Sequence, residues 1–305
     1  MNQAYLESVR LLLAVAPVVF RDPGFALKGG TAINLFLHDM PRLSVDLDLV
    51  YADHEPSRDE AVRFISERLG SIATDLERLG LACERGASSD GDEVKLFIAR
   101  GRNRIKIEVN HVSRGTVLPI GLRALAPEAQ DTFFTELEIP VLHPDELYGS
   151  KLVAAMDRQH PRDLFDVLML YERGGLTEGI VECFVCHLAG HNRPVHEVLF
   201  AHEIDIAPAL TNEFEGMTRQ PFSLEDLLAV RRRLLAELPA SLTENQRTFL
   251  VRLVEGNPDW SLVACEHLAT MPAIRWKLSN LERLRRSNPQ KFALQATELK
   301  AKLRR

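Results

Sequence analysis

Lys28-Gly29-Gly30-Thr31-Ala32, followed by Arg42-Leu43-Ser44-Val45-Asp46-Leu47-Asp48-Leu49-Val50, is the stretch on which the reading of this chain turns. An apolar run, Phe25 to Leu27, enters a double glycine, and a helical pattern (Ala32, Leu35, Phe36) follows it. A second apolar run then carries two aspartates at i and i+2, which in a strand point to the same face. Paired carboxylates repel and are costly to desolvate, so a strand that carries them on one face, and is otherwise as apolar as Leu47, Leu49 and Val50 make this one, calls for a cation between them. A Gly-Gly-Thr turn that opens a helix offers free backbone N–H groups and the positive end of the helix dipole, which suit a phosphate. Together these features describe a site for a metal and a nucleotide.

A plain tight turn would also use Gly29 and Gly30, and it is the aspartates downstream that favour a phosphate. Thr31 is placed to cap the helix or to hold a phosphate oxygen, and Ser44 to bond a phosphate or to shape the entrance of the strand. Magnesium suits Asp46 and Asp48 because it binds through one or two carboxylates plus substrate phosphates, with manganese as an alternative ion.

The rest of the first half interleaves helices and strands, as an α/β or α+β layer does. Residues 4 to 16 have a helical apolar period that Pro17 is expected to end, and residues 57 to 80 form a long helix ending at Gly80. Val94, Leu96 and Ile98 alternate, as do Ile105, Ile107 and Val109, with Gly101-Arg102-Asn103 between them, which predicts a β-hairpin. Its second strand sets Lys106, Glu108 and Asn110 on the face opposite the apolar residues. After Pro140 the pattern is helical: Asp145 to Met156, a break at Gln159-His160-Pro161, then a helix with Asp163 and Asp166 on one face. Beyond Gly174-Gly175 further helices are expected at Ser223 to Leu238, Glu244 to Val254, near 261 to 270, and from about 290. We therefore divide the chain after residue 140, into a catalytic domain of residues 1–140 and a helical domain of residues 141–305.

In this order the motifs resemble the DNA polymerase β-like nucleotidyltransferases. His143-Pro144-Asp145-Glu146-Leu147, Lys151, Arg158 and Arg162-Asp163-Leu164-Phe165-Asp166 narrow the likeness to the AbiEii/AbiGii toxins, which include the Men-type toxins of type IV toxin–antitoxin systems. The resemblance implies an α/β (α+β) nucleotidyltransferase core with a mixed sheet and a mainly α-helical C-terminal domain, whose first two helices complete the active site. It implies a magnesium-dependent transfer of a nucleoside monophosphate from a nucleoside triphosphate to an RNA such as the 3′ end of tRNA, and a cognate antitoxin protein. It places Lys151 and a following aspartate in the active site, Lys151 neutralising charge on the triphosphate and Asp163 or Asp166 orienting Lys151, Arg162 or the nucleotide. Asp163 as a merely structural ion pair stays open. It also assigns a third metal ligand to the neighbouring strand, where Glu108 is the acid available, although the superfamily more often has Asp and ordinary polar alternation would also put Glu108 there. Two rival functions remain: the same chemistry on a small molecule or protein hydroxyl, and a fold that binds a nucleotide or partner without turnover.

Composition narrows the setting. The 305 residues are 46% hydrophobic with a net charge of −6, enough for a core of one large or two smaller domains and too acidic for a general nucleic-acid coat. A contact with RNA then needs a local patch, and the segment from Glu282 to Arg305 supplies eight Lys or Arg against two Glu. The longest apolar run, Leu11 to Phe20, is broken by Pro17 and too short to span a bilayer, so a cytoplasmic protein is expected. Four cysteines fit a reducing compartment. Cys183-Phe184-Val185-Cys186-His187 has the form of a haem or zinc motif, but a buried helix using cysteine as a small hydrophobe is preferred.

Overall fold

Two strands carry the motif, β1 (Phe25–Lys28) and β2 (Asp46–Tyr51), antiparallel neighbours at the middle of a seven-stranded mixed sheet. The computed structural model describes residues 3–87 and 93–304. The described chain forms two compact units, Met1–Leu147 with Glu215–Pro221, and Tyr148–Phe214 with Phe222–Arg305.

In the first unit the remaining strands are β3 (Ala82–Ala87), β4 (Glu93–Arg100), β5 (Asn103–Asn110), β6 (Gly121–Ala124) and β7 (Glu138–Val141), in the order β3-β4-β5-β2-β1-β7-β6. β2 runs parallel to β5 and β1 parallel to β7; the other pairs are antiparallel. One face of the sheet is apolar: Phe25, Leu27, Leu47, Leu49, Leu96, Ile98, Ile105, Ile107 and Val109 are all buried. Helices α1 (Gln3–Val19) and α3 (Arg58–Arg78) pack on it, and Phe64 of α3 stacks on Tyr51 and meets Phe25 edge-on. Ser57 and Glu60 form a reciprocal capping box that starts α3, which stops two residues short of Gly80. The hairpin β4–β5 turns at Gly101, whose φ of +63° a residue with a side chain would resist.

Two expectations for this unit are corrected, and three of its strands were not foreseen. Pro17 does not end α1, which continues to Val19. The lost backbone bond and ring clash cost about 3 kcal/mol. Val18 and Val19, both buried beyond it, each return about 1.5–3 kcal/mol of burial. The helix after β1 is not a simple α-helix: α2 (Gly29–Thr31) continues as a π-helical segment, Ala32–Leu37. Strands β3, β6 and β7 lie outside the sequence expectation, and helix α4 (Pro127–Phe133) precedes β7.

The second unit is helical. α5 (Pro144–Arg158) runs into it, followed by α6 (Pro161–Glu172), α7 (Glu178–Gly190), α8 (Val195–Leu199), α9 (Ala207–Glu213), α10 (Leu224–Ser241), α11 (Glu244–Val254), α12 (Pro272–Ser287) and α13 (Pro289–Leu303). Pro161 takes the first position of α6, and capping boxes at Ser223 and Thr243 start α10 and α11. Phe165 meets Phe214 and Phe222 in an aromatic cluster that seats α6. Near 261 to 270 the expected helix is only two single turns, Trp260–Leu262 and Leu268–Thr270. Pro272 holds Met271 extended (ψ 133°), which prevents the second turn from continuing into α12. Cys183 and Cys186 are buried thiols on α7, neither of them in a disulfide. A Cβ on Gly149 would lie 2.6 Å from that of Cys183, so α5 and α7 meet through small residues, as the buried-helix reading requires. Among the described residues no helix is long and apolar enough to cross a membrane.

Candidate active site

The turn between β1 and α2 is built against the aspartate strand. Gly29 has a φ of +74°, and a side chain there would collide with the carboxylate of Asp48. At Gly30 a Cβ would stand 2.7 Å from Arg42 Nη2 and 3.0 Å from Ser44 Oγ. Both groups reach the turn because no side chain intervenes. Arg42 is only 2% exposed, and its Nη1 donates to the Leu43 carbonyl at 3.0 Å. The segment Glu215–Pro221 fixes this approach: the Leu43 N–H donates to the Met217 carbonyl (2.8 Å) and the Arg219 N–H to that of Pro41 (3.0 Å). Thr31 does not cap with its side chain: Lys28 is the N-cap residue of α2, and Thr31, which precedes the π-helical segment, makes no side-chain capping bond to it. Its buried hydroxyl donates to the Asp46 carbonyl (2.5 Å) and sits 3.0 Å from Ser44 Oγ, tying the turn to β2.

The other face of the sheet is charged. Asp46 and Asp48 are half-buried, and across the parallel β2–β5 pair Asp46 is in register with Lys106 and Asp48 with Glu108. Lys28 of β1 lies beside Asp48 on the opposite flank. Lys106 Nζ is 4.0 Å from Asp46 Oδ2 and 2.9 Å from Glu108 Oε2, and Lys95 Nζ is 2.7 Å from Glu108 Oε1. Burial pushes the Glu108 carboxyl up, but the hydrogen bonds and charges of Lys95 and Lys106 outweigh it and leave it below its ordinary value. Two adjacent carboxylates fit a hard divalent cation completed by phosphate oxygens. Among the described residues no group of three or more His, Cys, Asp or Glu is gathered for a metal.

In the helical unit Lys151 of α5 meets both acids of α6. Its Nζ lies 2.7 Å from Asp163 Oδ1 and 3.0 Å from Asp166 Oδ2, and the three side chains are 7%, 1% and 0% exposed. Arg158 grips Asp163 from the end of α5, Nε to Oδ2 at 2.6 Å and Nη2 to Oδ1 at 3.1 Å. Burial alone would raise the Asp163 carboxyl, but the charges and hydrogen bonds of Lys151 and Arg158 reverse this and hold it well below the usual carboxylate range. Burial, and after it the Asp166 charge, push the Tyr148 phenol up. Arg162 is half-buried, and its backbone N–H donates to His160 Nδ1 (3.1 Å). Glu146 of the His-Pro-Asp-Glu-Leu run is buried and accepts the N–H groups of Val117 and Leu118 at 2.8 and 2.9 Å, a loop-holding role.

Gly29, Gly30, Thr31, Ser44, Asp46 and Asp48 thus gather in the first unit, and Lys151, Asp163 and Asp166 in the second. Sequence reasoning quoted Arg42 and Arg158 within the motifs but gave them, like Lys106, no role of their own, and it passed over Lys95. Alternation placed Lys106 on the polar face, but only the parallel register of β5 on β2 sets it opposite Asp46.

A Gly-Gly turn packed on a strand with two aspartates, in a mixed sheet followed by helices, defines a nucleotidyltransferase. A family model described as nucleotidyl transferase AbiEii toxin, type IV TA system, matches residues 10–280, most of the chain. The chain belongs to this family of AbiEii nucleotidyltransferase toxins. Among solved structures it is similar in fold to MenT4, a nucleotidyltransferase toxin from Mycobacterium tuberculosis H37Rv, with a TM-score of 0.55 at 19% identity over 90% of each chain. No curated protein sequence matches it.

Proposed function

We propose that the chain is a magnesium-dependent toxin of a type IV toxin–antitoxin system that transfers a nucleoside monophosphate to RNA, most simply to the 3′ end of tRNA. The carrying observation is the Gly29-Gly30 turn packed directly on Asp48, a helix-opening turn of the kind that suits a phosphate set against the strand that carries both aspartates. The acceptor hydroxyl oxygen attacks the α-phosphorus, the bond to the β-phosphate oxygen breaks, the hydroxyl proton is lost and pyrophosphate leaves. Magnesium, or manganese, held by Asp46 and Asp48 would stabilise charge on the attacking and leaving oxygens. Gly29, Gly30 and Ser44 receive the phosphates, while Thr31 keeps the turn fastened to β2.

For the helical unit we propose supporting roles. Lys151, fixed by Asp163 and Asp166, and Arg162 serve the triphosphate, in line with the resemblance. The RNA backbone is met by the basic C-terminal helices, for which Arg283, Arg285, Arg286, Lys291 and Arg304 are exposed. Lys300 is drawn to Glu255 (2.5 Å) and Lys302 lies over the Phe200 ring, 5.6 Å from its centroid, so α13's own last turn contributes less than its sequence suggests. Arg305 lies outside the described residues. The cell compartment we propose is the cytoplasm, and the partner a cognate antitoxin. An acceptor survey with each labelled triphosphate in turn, against total tRNA, protein and small hydroxyl compounds, tests the reading: label entering RNA supports it, and label entering only protein or a small molecule replaces the acceptor.

A further inference from the structure

Glu108 stands where a third metal ligand is expected, yet both its oxygens are occupied. Lys95 takes one at 2.7 Å and Lys106 the other at 2.9 Å, and the side chain is only 19% exposed. To ligate a metal it would abandon two ion pairs on a half-buried face, which is costly. Lys106 stands differently. It is held firmly by Glu108 but lies 4.0 Å from Asp46, across the parallel register, at a distance from which it can withdraw.

We propose that Lys106 is a built-in counter-charge for the Asp46–Asp48 pair, and that Glu108 serves the site by positioning Lys106 rather than as a third metal ligand. This rests on the reading of the two aspartates as metal ligands. In the nucleotide-free protein the Lys106 ammonium competes with a bare divalent cation for Asp46. A metal-bound triphosphate brings phosphate oxygens that accept the displaced ammonium, a compact charge with three rotatable donors. Bare metal is therefore disfavoured relative to metal arriving with nucleotide.

Manganese binding to the full chain, followed by electron paramagnetic resonance with and without a non-hydrolysable triphosphate analogue, tests this. Lys106→Met should tighten nucleotide-free manganese binding about fivefold, the scale of one charge at this distance in a solvent-screened site. The same variant should weaken binding of the manganese–analogue pair, and Lys106→Arg should keep the wild-type weakness toward bare manganese. Glu108→Gln should weaken bare manganese binding in the wild-type chain and change it less than about twofold in the Lys106→Met background, because there its agent is gone. Unchanged manganese binding in Lys106→Met overturns the proposal. So does a Glu108→Gln loss that is equally large in both backgrounds, which would make Glu108 a direct ligand. Manganese binding that survives in Asp48→Ala would instead overturn the underlying metal reading, a result independent of the Lys106 variants.

Discussion

The Asp48 carboxylate occupies the space that a side chain on Gly29 would need, so the Gly29-Gly30 turn and the aspartate strand are packed as one piece. Gly29 also has a left-handed φ of +74°. Gly29→Ala should therefore lose about 1–2 kcal/mol of stability through backbone strain. The displaced carboxylate should cost more in activity than in stability. Chemical denaturation compared with kcat/KM checks this, with a fall of tenfold or more in the rate constant expected beside a modest shift in midpoint.

Asp46→Ala and Asp48→Ala should each lower the transfer rate about a thousandfold, equivalent to about 4 kcal/mol of lost metal-derived charge stabilisation. Neither should unfold the sheet, because each removes one of two repelling acids. Rate measurements paired with thermal unfolding check both halves of the statement.

Lys151→Ala leaves Asp163 and Asp166 buried with less compensation, and should destabilise the helical unit by about 3–5 kcal/mol. Activity measured on this variant then mixes folding with chemistry. Lys151→Arg retains the charge but not the shape, and should restore stability more than rate, since a planar guanidinium fits poorly between the two acids. Thermal melts beside single-turnover rates separate the two effects.

Acid should reveal the Asp163 cluster. The folded carboxyl sits below its ordinary value of 3.8, so the unfolded chain binds more protons and stability rises with pH across that window. The contribution is complete above 3.8 and is lost as the pH falls toward the folded value. Asp163→Asn should remove this component of the acid unfolding curve, as measured by denaturation at graded pH.

Charge reversal at Arg283, Arg285 and Lys291 should weaken RNA binding and flatten its salt dependence, while nucleotide binding stays as in the wild type. Filter binding across a salt series checks this. Reversing Lys300 should do less to RNA and more to stability, because Lys300 already pairs with Glu255.

The central motif was legible because its residues are local in sequence. Gly29-Gly30 and Asp46-Leu47-Asp48 announce a turn and a one-faced strand by type and spacing alone, and the β4–β5 alternation and the spans of α10 and α11 read as clearly. Strands β3, β6 and β7 were not legible for physical reasons. β6 is four residues long and exposed, β3 has weak alternation, and β7 contains Pro140, yet it pairs on both sides. Pro17 misled because the helix-breaking rule is local while the burial of Val18 and Val19 is tertiary. The partners of the acids, Lys95 and Lys106 around Glu108 and Arg158 at Asp163, depend on register and on where α5 ends, neither of which composition fixes.

Pyrophosphate release from purified protein, given magnesium, all four nucleoside triphosphates and total tRNA, tests the central claim most directly when wild type and Asp48→Ala are compared. The account predicts RNA-dependent release by the wild type and none above background by Asp48→Ala. Equal release by the two proteins, or none by the wild type, would contradict it.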